Sequence, residues 1–239
     1  MRARGLVLAA LALATLGAHP APRPSAALLA DLPPSLVLSR YEAALASLTR
    51  PKALSFDYTV EQLGPRNLEQ THRVYRSGVR ERDETVVVDG YTLKRPAIRI
   101  FTNRTYRYDV GSIAPTSDAY SFAYAGVVRA PSGYAYAFRT ERREPAAFAV
   151  SAVDIDGRTF LPAVVHFKTA TDGARGSGVL QYAGFASYWL VREAQVDAHL
   201  ENGTLGHERI VWSNYQFHQS LPPSTFEAPP PAPPAAVEP

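Results

Sequence analysis

The chain of 239 residues contains no cysteine, and this absence excludes several classes of protein. Without a thiol there is no disulfide framework, no cysteine nucleophile and no cysteine to carry the lipid anchor of a lipoprotein. Stability must then come from an apolar core. The composition provides one, since 46% of the residues are hydrophobic and 10% are aromatic. The same composition excludes a disordered chain.

The chain also lacks a strong excess of charge. It has 25 basic and 22 acidic residues, for a net charge of +3. Arg2, Arg4 and Arg23 account for that excess, and all three lie in the first 27 residues. Nucleic acid binding needs a concentrated positive surface, so we expect no nucleic acid partner.

Long hydrophobic runs are missing as well. The apolar stretch from Leu6 to Ala14 is too short to span a bilayer, and no later stretch approaches about 20 apolar residues. It follows two arginines and precedes small residues at 17–18 and 25–27, which is typical of a cleaved signal peptide. We expect residues 1–27 to be this signal and the protein to be periplasmic or secreted. A short N-terminal membrane anchor is the alternative.

The other end of the chain is rich in proline. Residues 228–239 favour an extended conformation and offer little to bury, so we expect a disordered tail. A ligand for an SH3-type domain is the alternative. Residues 28–227 then form one domain.

One amphipathic helix is predicted at about 34–49. Asp31 or Ser35 is expected to cap it, a proline at 33 or 34 suits its first turn, and Pro51 ends it. Its apolar stripe consists of Leu38, Tyr41, Leu45 and Leu48.

After the helix the hydrophobic period changes to two. Leu54, Phe56, Tyr58 and Val60 alternate with polar residues, and turn signals such as Ser77-Gly78 and Asp156-Gly157 recur. The fold class is therefore mainly β: about ten strands in a single antiparallel sheet that curls or closes. Further alternating segments lie at 104–110, 120–128, 134–140, 148–155, 160–168, 188–198 and 208–217.

One predicted hairpin, at 120–140, is rich in aromatic residues. Its first strand carries Tyr120, Phe122 and Tyr124 on one face, and the second carries Tyr134, Tyr136 and Phe138. These rings either fill the core or line a concavity for an apolar ligand.

Catalytic and metal-binding patterns are weak. The five histidines after residue 27 are dispersed without ligand spacing, so neither a metal nor another cofactor is expected. Two pairs of carboxylates, Asp154 with Asp156 and Glu81 with Asp83, are the only acid/base candidates. Asp156 precedes a glycine and indicates a turn, while residues 80–84 mix charges as a solvated strand edge or an ion-pair ladder does. We therefore expect no enzyme.

The order of these segments resembles the periplasmic lipoprotein carriers of the LolA/LolB type and the related RseB regulators. The resemblance rests on the helix leading into LSFDYTVEQLG at 54–64, on VDIDG at 153–157 before TFLP at 159–162, and on WSNYQF at 212–217 before LPPSTF at 221–226. It implies an unclosed β half-barrel whose apolar concave face is covered by helices.

What the resemblance implies for function is an exported, non-enzymatic carrier or sensor in outer-membrane biogenesis that binds the acyl chains of lipids or lipoproteins. Membrane proteins of a lipoprotein-transport system would be further partners. The expected binding face carries Phe56, Tyr58, Phe122, Tyr124, Tyr136 and Phe138. A regulatory or protein-interaction module with a filled core and no lipid ligand is the first alternative. A hydrolase on a β scaffold is the second, and it would need titratable groups that converge in the cleft, which the sequence does not reveal.

Overall fold

A computed structural model of the chain describes residues 32–64, 67–106, 108–130, 133–171, 174–200 and 205–228. The predicted signal peptide, Asp31 and all but the first residue of the predicted tail lie outside these ranges. Among the described residues no helix is long and apolar enough to cross a membrane.

The described chain forms a single antiparallel sheet of eleven strands, which confirms the predicted fold class. The strands are β1 (Ala53–Leu63), β2 (Leu68–Ser77), β3 (Arg80–Val88), β4 (Tyr91–Phe101), β5 (Tyr120–Ala130), β6 (Gly133–Arg142), β7 (Phe148–Asp156), β8 (Pro162–Thr171), β9 (Ala174–Phe185), β10 (Tyr188–Leu200) and β11 (Leu205–His218). Two short helices, α1 (Pro34–Ala46) and α2 (Val110–Ile113), and a 3-10 turn at Pro223–Phe226 complete it.

The strand order is β4-β3-β2-β1-β11-β10-β9-β8-β7-β6-β5, so two meanders meet where β1 pairs with β11. β4 and β5 lie at opposite edges and do not pair, which leaves the sheet unclosed. The connection between them, Thr102–Ala119, must therefore cross the whole sheet. We call the face that it crosses the inner face.

Alternation along β1 determines which side chains reach the inner face. Leu54 and Phe56 are buried in the main hydrophobic core, and Tyr58 and Val60 pack against it. On the outer face the polar neighbours bond across the sheet instead, as Asp57 does with Arg73. The predicted half-buried strand is thus confirmed.

The helix α1 is shorter than predicted. Pro33 is its N-cap residue and Pro34 follows in the first turn, whereas Ser35 lies inside the helix and does not cap it. The helix ends at Ala46, before it reaches Pro51. The backbone N–H of Ser47 donates to the carbonyl oxygen of Ala43 and closes the last turn. The predicted stripe packs on the core, together with Val37, which is fully buried.

The strand predicted at 104–110 is wrong. Arg104–Tyr106 belongs to the connection from β4 to β5, and Val110 begins α2. Alternation arises here without strand pairing, because Tyr106, Tyr108 and Val110 all point down onto the core from the crossing segment.

Candidate functional site

α1 covers one half of the inner face. The ring of Tyr41 meets that of Phe122 on β5 at 6.3 Å between centroids, and its hydroxyl donates to the carbonyl oxygen of Pro115 at 2.8 Å. Arg40 lies over the ring of Phe160, 5.1 Å from its centroid. These contacts place α1 over the half of the sheet that carries β5 to β8, so α1 covers the inner face of that half.

The other half of the inner face is open and forms a groove. It lies between strands β1, β2, β3 and β11 and the crossing segment, which contributes Arg104, Thr105, Tyr106 and Tyr108, and its volume is about 300 Å³. Binding sites for small ligands typically begin at about this volume. Its lining is half apolar and half polar. The apolar side chains are Phe56, Tyr58, Val60, Val74, Tyr106, Tyr108, Ile210 and Trp212. The polar ones are Gln62, Gln70, His72, Glu81, Arg99, Arg104, Thr105 and Glu208.

The floor of the groove is held in place by aromatic contacts. Phe56 lies 6.3 Å from Tyr106 of the crossing segment, and Trp212 meets Tyr108 edge to face at 5.1 Å. Aromatic pairs at these separations stabilise beyond their buried area. The crossing segment therefore forms a firm wall of the groove.

One polar wall of the groove is a buried hydrogen-bond network around Asp83. His72 Nδ1 donates to one carboxylate oxygen at 2.8 Å, and the Tyr58 hydroxyl donates to the other at 3.0 Å. The rings of Tyr58 and His72 stack at 4.5 Å. Burial tends to raise the pKa of Asp83, but the hydrogen bonds from His72 and Tyr58 outweigh it and leave the pKa below its ordinary value.

A second buried carboxylate, Glu81, is held by two arginines. Arg104 Nη1 lies 2.9 Å from one of its oxygens, and Arg76 donates to the other at 3.2 Å. Burial raises the pKa of Glu81, and the two arginines only partly oppose this. Burial also lowers the pKa of Arg76. This cluster connects β2, β3 and the crossing segment.

Both results correct the interpretation of residues 80–84 as a solvated edge. Glu81 and Asp83 are each 5% exposed, because both side chains point to the inner face and β4 covers the edge of β3. The expectation that no titratable groups converge in the cleft is wrong for the same reason. The alternative prediction, a ladder of ion pairs in this segment, is confirmed, since Arg82 also pairs with Glu84 at 2.6 Å.

These groups do not form a nucleophile relay. In such a relay the hydroxyl and the carboxylate bind opposite nitrogens of the histidine. Here Asp83 and the hydroxyl of Thr85 both approach Nδ1 of His72, at 2.8 and 3.4 Å, and Nε2 faces the side-chain oxygen of Gln70. The arrangement holds the wall together and leaves no activated hydroxyl.

The other candidate pair does not line the groove: Asp154 lies within β7, opposite Val164, and Asp156 ends that strand where the turn begins. One oxygen of Asp156 accepts hydrogen bonds from the backbone N–H groups of Arg158 and Thr159 at 2.9 and 2.8 Å. The turn predicted from Asp156-Gly157 is therefore confirmed. Among the described residues no three His, Cys, Asp or Glu side chains lie close enough to hold one metal ion.

The six residues expected to bind a ligand are divided between the two halves of the inner face. Phe56 and Tyr58 line the groove. Tyr136 and Phe138 are each 1% exposed in the core, Phe122 lies against Tyr41, and Tyr124 on the edge strand is 41% exposed. The predicted hairpin is present, but a bulge at Gly126, whose φ is +115°, shifts the register so that Tyr124 pairs with Phe138.

Sequence reasoning did not identify the polar wall or the crossing segment. The predicted segment 208–217 contains Ile210 and Trp212, but its alternation alone predicts no role for them, and the spacing of His72 from the other histidines predicts no site. The alternation of His72, Val74 and Arg76 along β2 is the signal that places them on one face.

Comparison with known proteins gives matches among solved structures. No family model and no curated protein matches the chain. A LolA superfamily protein from Nitrosomonas europaea is 9% identical, with a TM-score of 0.41, covering 83% of this chain and 99% of that chain. A lipoprotein-sorting protein domain from Vibrio parahaemolyticus is 10% identical, with a TM-score of 0.44, covering 79% and 95%.

A MucA/MucB complex from Pseudomonas aeruginosa also matches, at 10% identity and a TM-score of 0.24, covering 78% of this chain and 99% of that chain. The first of these structures is named as a LolA superfamily protein, the group that the sequence resembles.

Proposed function

We propose that this protein is a non-enzymatic carrier or sensor that binds an acyl chain of a lipid or lipoprotein in the groove. The observation that carries the proposal is the open, apolar-floored groove of about 300 Å³ beside a half-sheet that α1 has filled. A hydrolase would need an activated nucleophile, and the wall around His72 offers none.

The floor suits an alkyl chain energetically. Each methylene that leaves water gains about 0.8 kcal/mol, so a segment of about six methylenes gains roughly 5 kcal/mol before the costs of association. Phe56 and Tyr58 are the predicted contacts in this half. For Phe122, Tyr136 and Phe138, contact with a ligand stays a prediction that requires α1 to move aside, and for the exposed Tyr124 it stays a prediction as well.

The proposal includes export. Residues 1–27 serve as a cleaved signal, residues 28–227 as the carrier domain and residues 228–239 as a disordered tail, so the protein works in the periplasm or outside the cell. An apolar ligand that must cross water between membranes is the cargo for which such a groove is useful. The carrier then also meets membrane proteins that load or unload it.

The alternative is an interaction module that binds a protein and no lipid. The filled half of the inner face favours it, since α1 leaves Tyr136 and Phe138 no access to a ligand. In that case the groove would be an incidental gap, and blocking it would have no effect on function.

The test is displacement of an uncharged fluorescent probe, N-phenyl-1-naphthylamine, by alkyl compounds. Wild type should take up the probe, and Val60→Trp should not, because Val60 lines the groove and an indole there occupies the space. Thr59→Trp is the matched control, since it places the same ring on the outer face of the same strand. Equal uptake by all three proteins, or none by wild type, would refute the proposal.

A further inference from the structure

A second cavity adjoins the groove at the end of the sheet where β1 begins and β2 ends. It encloses about 430 Å³, and we call it the mouth cavity. Arg104, Thr105 and Tyr106 of the crossing segment line both spaces, so one short stretch of chain forms their shared wall. Leu54 and Leu190 supply apolar surface beside it.

The mouth cavity differs from the groove in its charge. Four cationic side chains line it: Arg50, Lys52, Arg76 and Arg104. Asp109 is the carboxylate in this lining, and it accepts two hydrogen bonds from Arg50, at 3.2 and 2.5 Å. With Glu81, which pairs with Arg76 and Arg104, there are two neighbouring carboxylates, so the four cations exceed them by two.

The excess charge is not consumed by other contacts. Among the described residues Lys52 has no ion-pair partner, and its side chain is exposed at the rim of the mouth cavity. Arg76 uses one N–H each for the carbonyl oxygens of Gly78 and Arg104 and for Glu81, which leaves two of its five donors. Buried or half-buried guanidinium groups with free donors recognise phosphate and carboxylate oxygens.

We propose that the mouth cavity binds the anionic headgroup, a phosphate or a carboxylate, of the amphiphile whose alkyl chain occupies the groove. This inference rests on the function proposed above. It restricts the ligand to anionic lipids, with one or several chains, and excludes neutral lipids. Both spaces lie against residues 104–106, so the proposal requires one molecule to extend past this stretch of chain. Headgroup contacts also supply binding energy that a groove of modest size cannot supply from methylenes alone.

The test compares two ligands that share a chain and differ in charge. Decyl phosphate and decanol, both kept monomeric, compete with N-phenyl-1-naphthylamine for wild type at low salt. We expect decyl phosphate to displace the probe at about tenfold lower concentration, and the difference to shrink at 0.5 M salt. Inorganic phosphate alone is the third arm and should displace nothing at these concentrations.

The variant is the double substitution Arg50→Gln with Lys52→Gln. Both side chains are exposed, so we expect the fold to be retained, and circular dichroism checks that loss of the Arg50–Asp109 pair leaves it intact. The preference for decyl phosphate should fall to within about twofold of decanol. The matched control is Lys94→Gln with Arg95→Gln, which removes the same charge from exposed positions on β4. The control should keep the full preference.

Each result decides between the two proposals. Equal displacement by decyl phosphate and decanol would overturn the headgroup site and leave the carrier function standing. Failure of wild type to take up the probe would overturn both. If inorganic phosphate blocked decyl phosphate at a comparable concentration, the mouth cavity would be a site for free phosphate, and the inference of a headgroup would be wrong.

Discussion

Replacing Tyr41 with phenylalanine tests how α1 is held over the inner face. The Tyr41 side chain is fully buried, and its hydroxyl donates to the carbonyl oxygen of Pro115, itself buried, at 2.8 Å. Burial raises the pKa of this hydroxyl far above its ordinary value, so the donor is present at every accessible pH. Phenylalanine keeps the ring and its contact with Phe122 and removes only the donor.

The cost follows from the carbonyl left behind. A buried acceptor without a partner costs about 1–3 kcal/mol, and we take about 2 kcal/mol for the free energy of unfolding. In a domain of this size that corresponds to a fall in Tm of roughly 4–8 °C. Thermal and urea unfolding followed by circular dichroism measure it.

The control is Tyr91→Phe, which removes the same hydroxyl from a side chain that is 79% exposed and should leave Tm within about 1 °C. If Tyr41→Phe proved as stable as this control, the hydrogen bond to Pro115 would not hold α1, and the division of the inner face into a filled and an open half would lose its support.

Three further predictions concern the core, the polar wall and the tail. Tyr136→Asp should unfold the domain, since it buries an unpaired carboxylate at a site 1% exposed, at a cost above about 4 kcal/mol, while Tyr91→Asp should fold normally by circular dichroism. The pKa of Asp83 is lower in the folded state, so its ionised form stabilises the fold above about pH 4, and this contribution is lost as the pH falls. The difference in unfolding free energy between wild type and Asp83→Asn should therefore become smaller below pH 4. A difference that did not change with pH would contradict the network. Deletion of residues 228–239 should leave Tm unchanged, and a clear drop would show that the tail is docked.

Much of the fold was predictable because it depends on short-range patterns. The alternation along β1 predicted both its strand and its inner face, since a buried face imposes a period of two on any strand. The Asp156-Gly157 turn was predictable for a similar reason, because the chemistry of Asp156 is local.

The polar wall could not be recognised from local charge. Glu81 and Asp83 look solvated in a segment of mixed charge, and what buries them is the pairing of β3 with β2 and β4. A register argument could have found part of it. The turn at Gly78-Val79 sets Arg76 opposite Glu81 and Val74 opposite Asp83, which places both carboxylates on the face of an apolar residue.

The crossing segment could be predicted only with knowledge of the strand order. Nothing in Tyr106, Tyr108 and Val110 distinguishes a strand from a stretch of chain laid across a sheet, since both present every second side chain to the core. Only the positions of β4 and β5 at opposite edges require the connection to cross. The groove exists because of that crossing, so sequence reasoning could name Phe56 and Tyr58 but could not separate them from the four rings under and beside α1.

The most direct measurement is mass spectrometry of lipids extracted from the protein after export and purification without detergent. We expect wild type and Thr59→Trp to carry an anionic lipid in nearly stoichiometric amount, whereas Val60→Trp, equally well folded by circular dichroism, should carry none. An empty wild-type protein, or equal lipid on Val60→Trp, would contradict the claim that the groove binds the ligand.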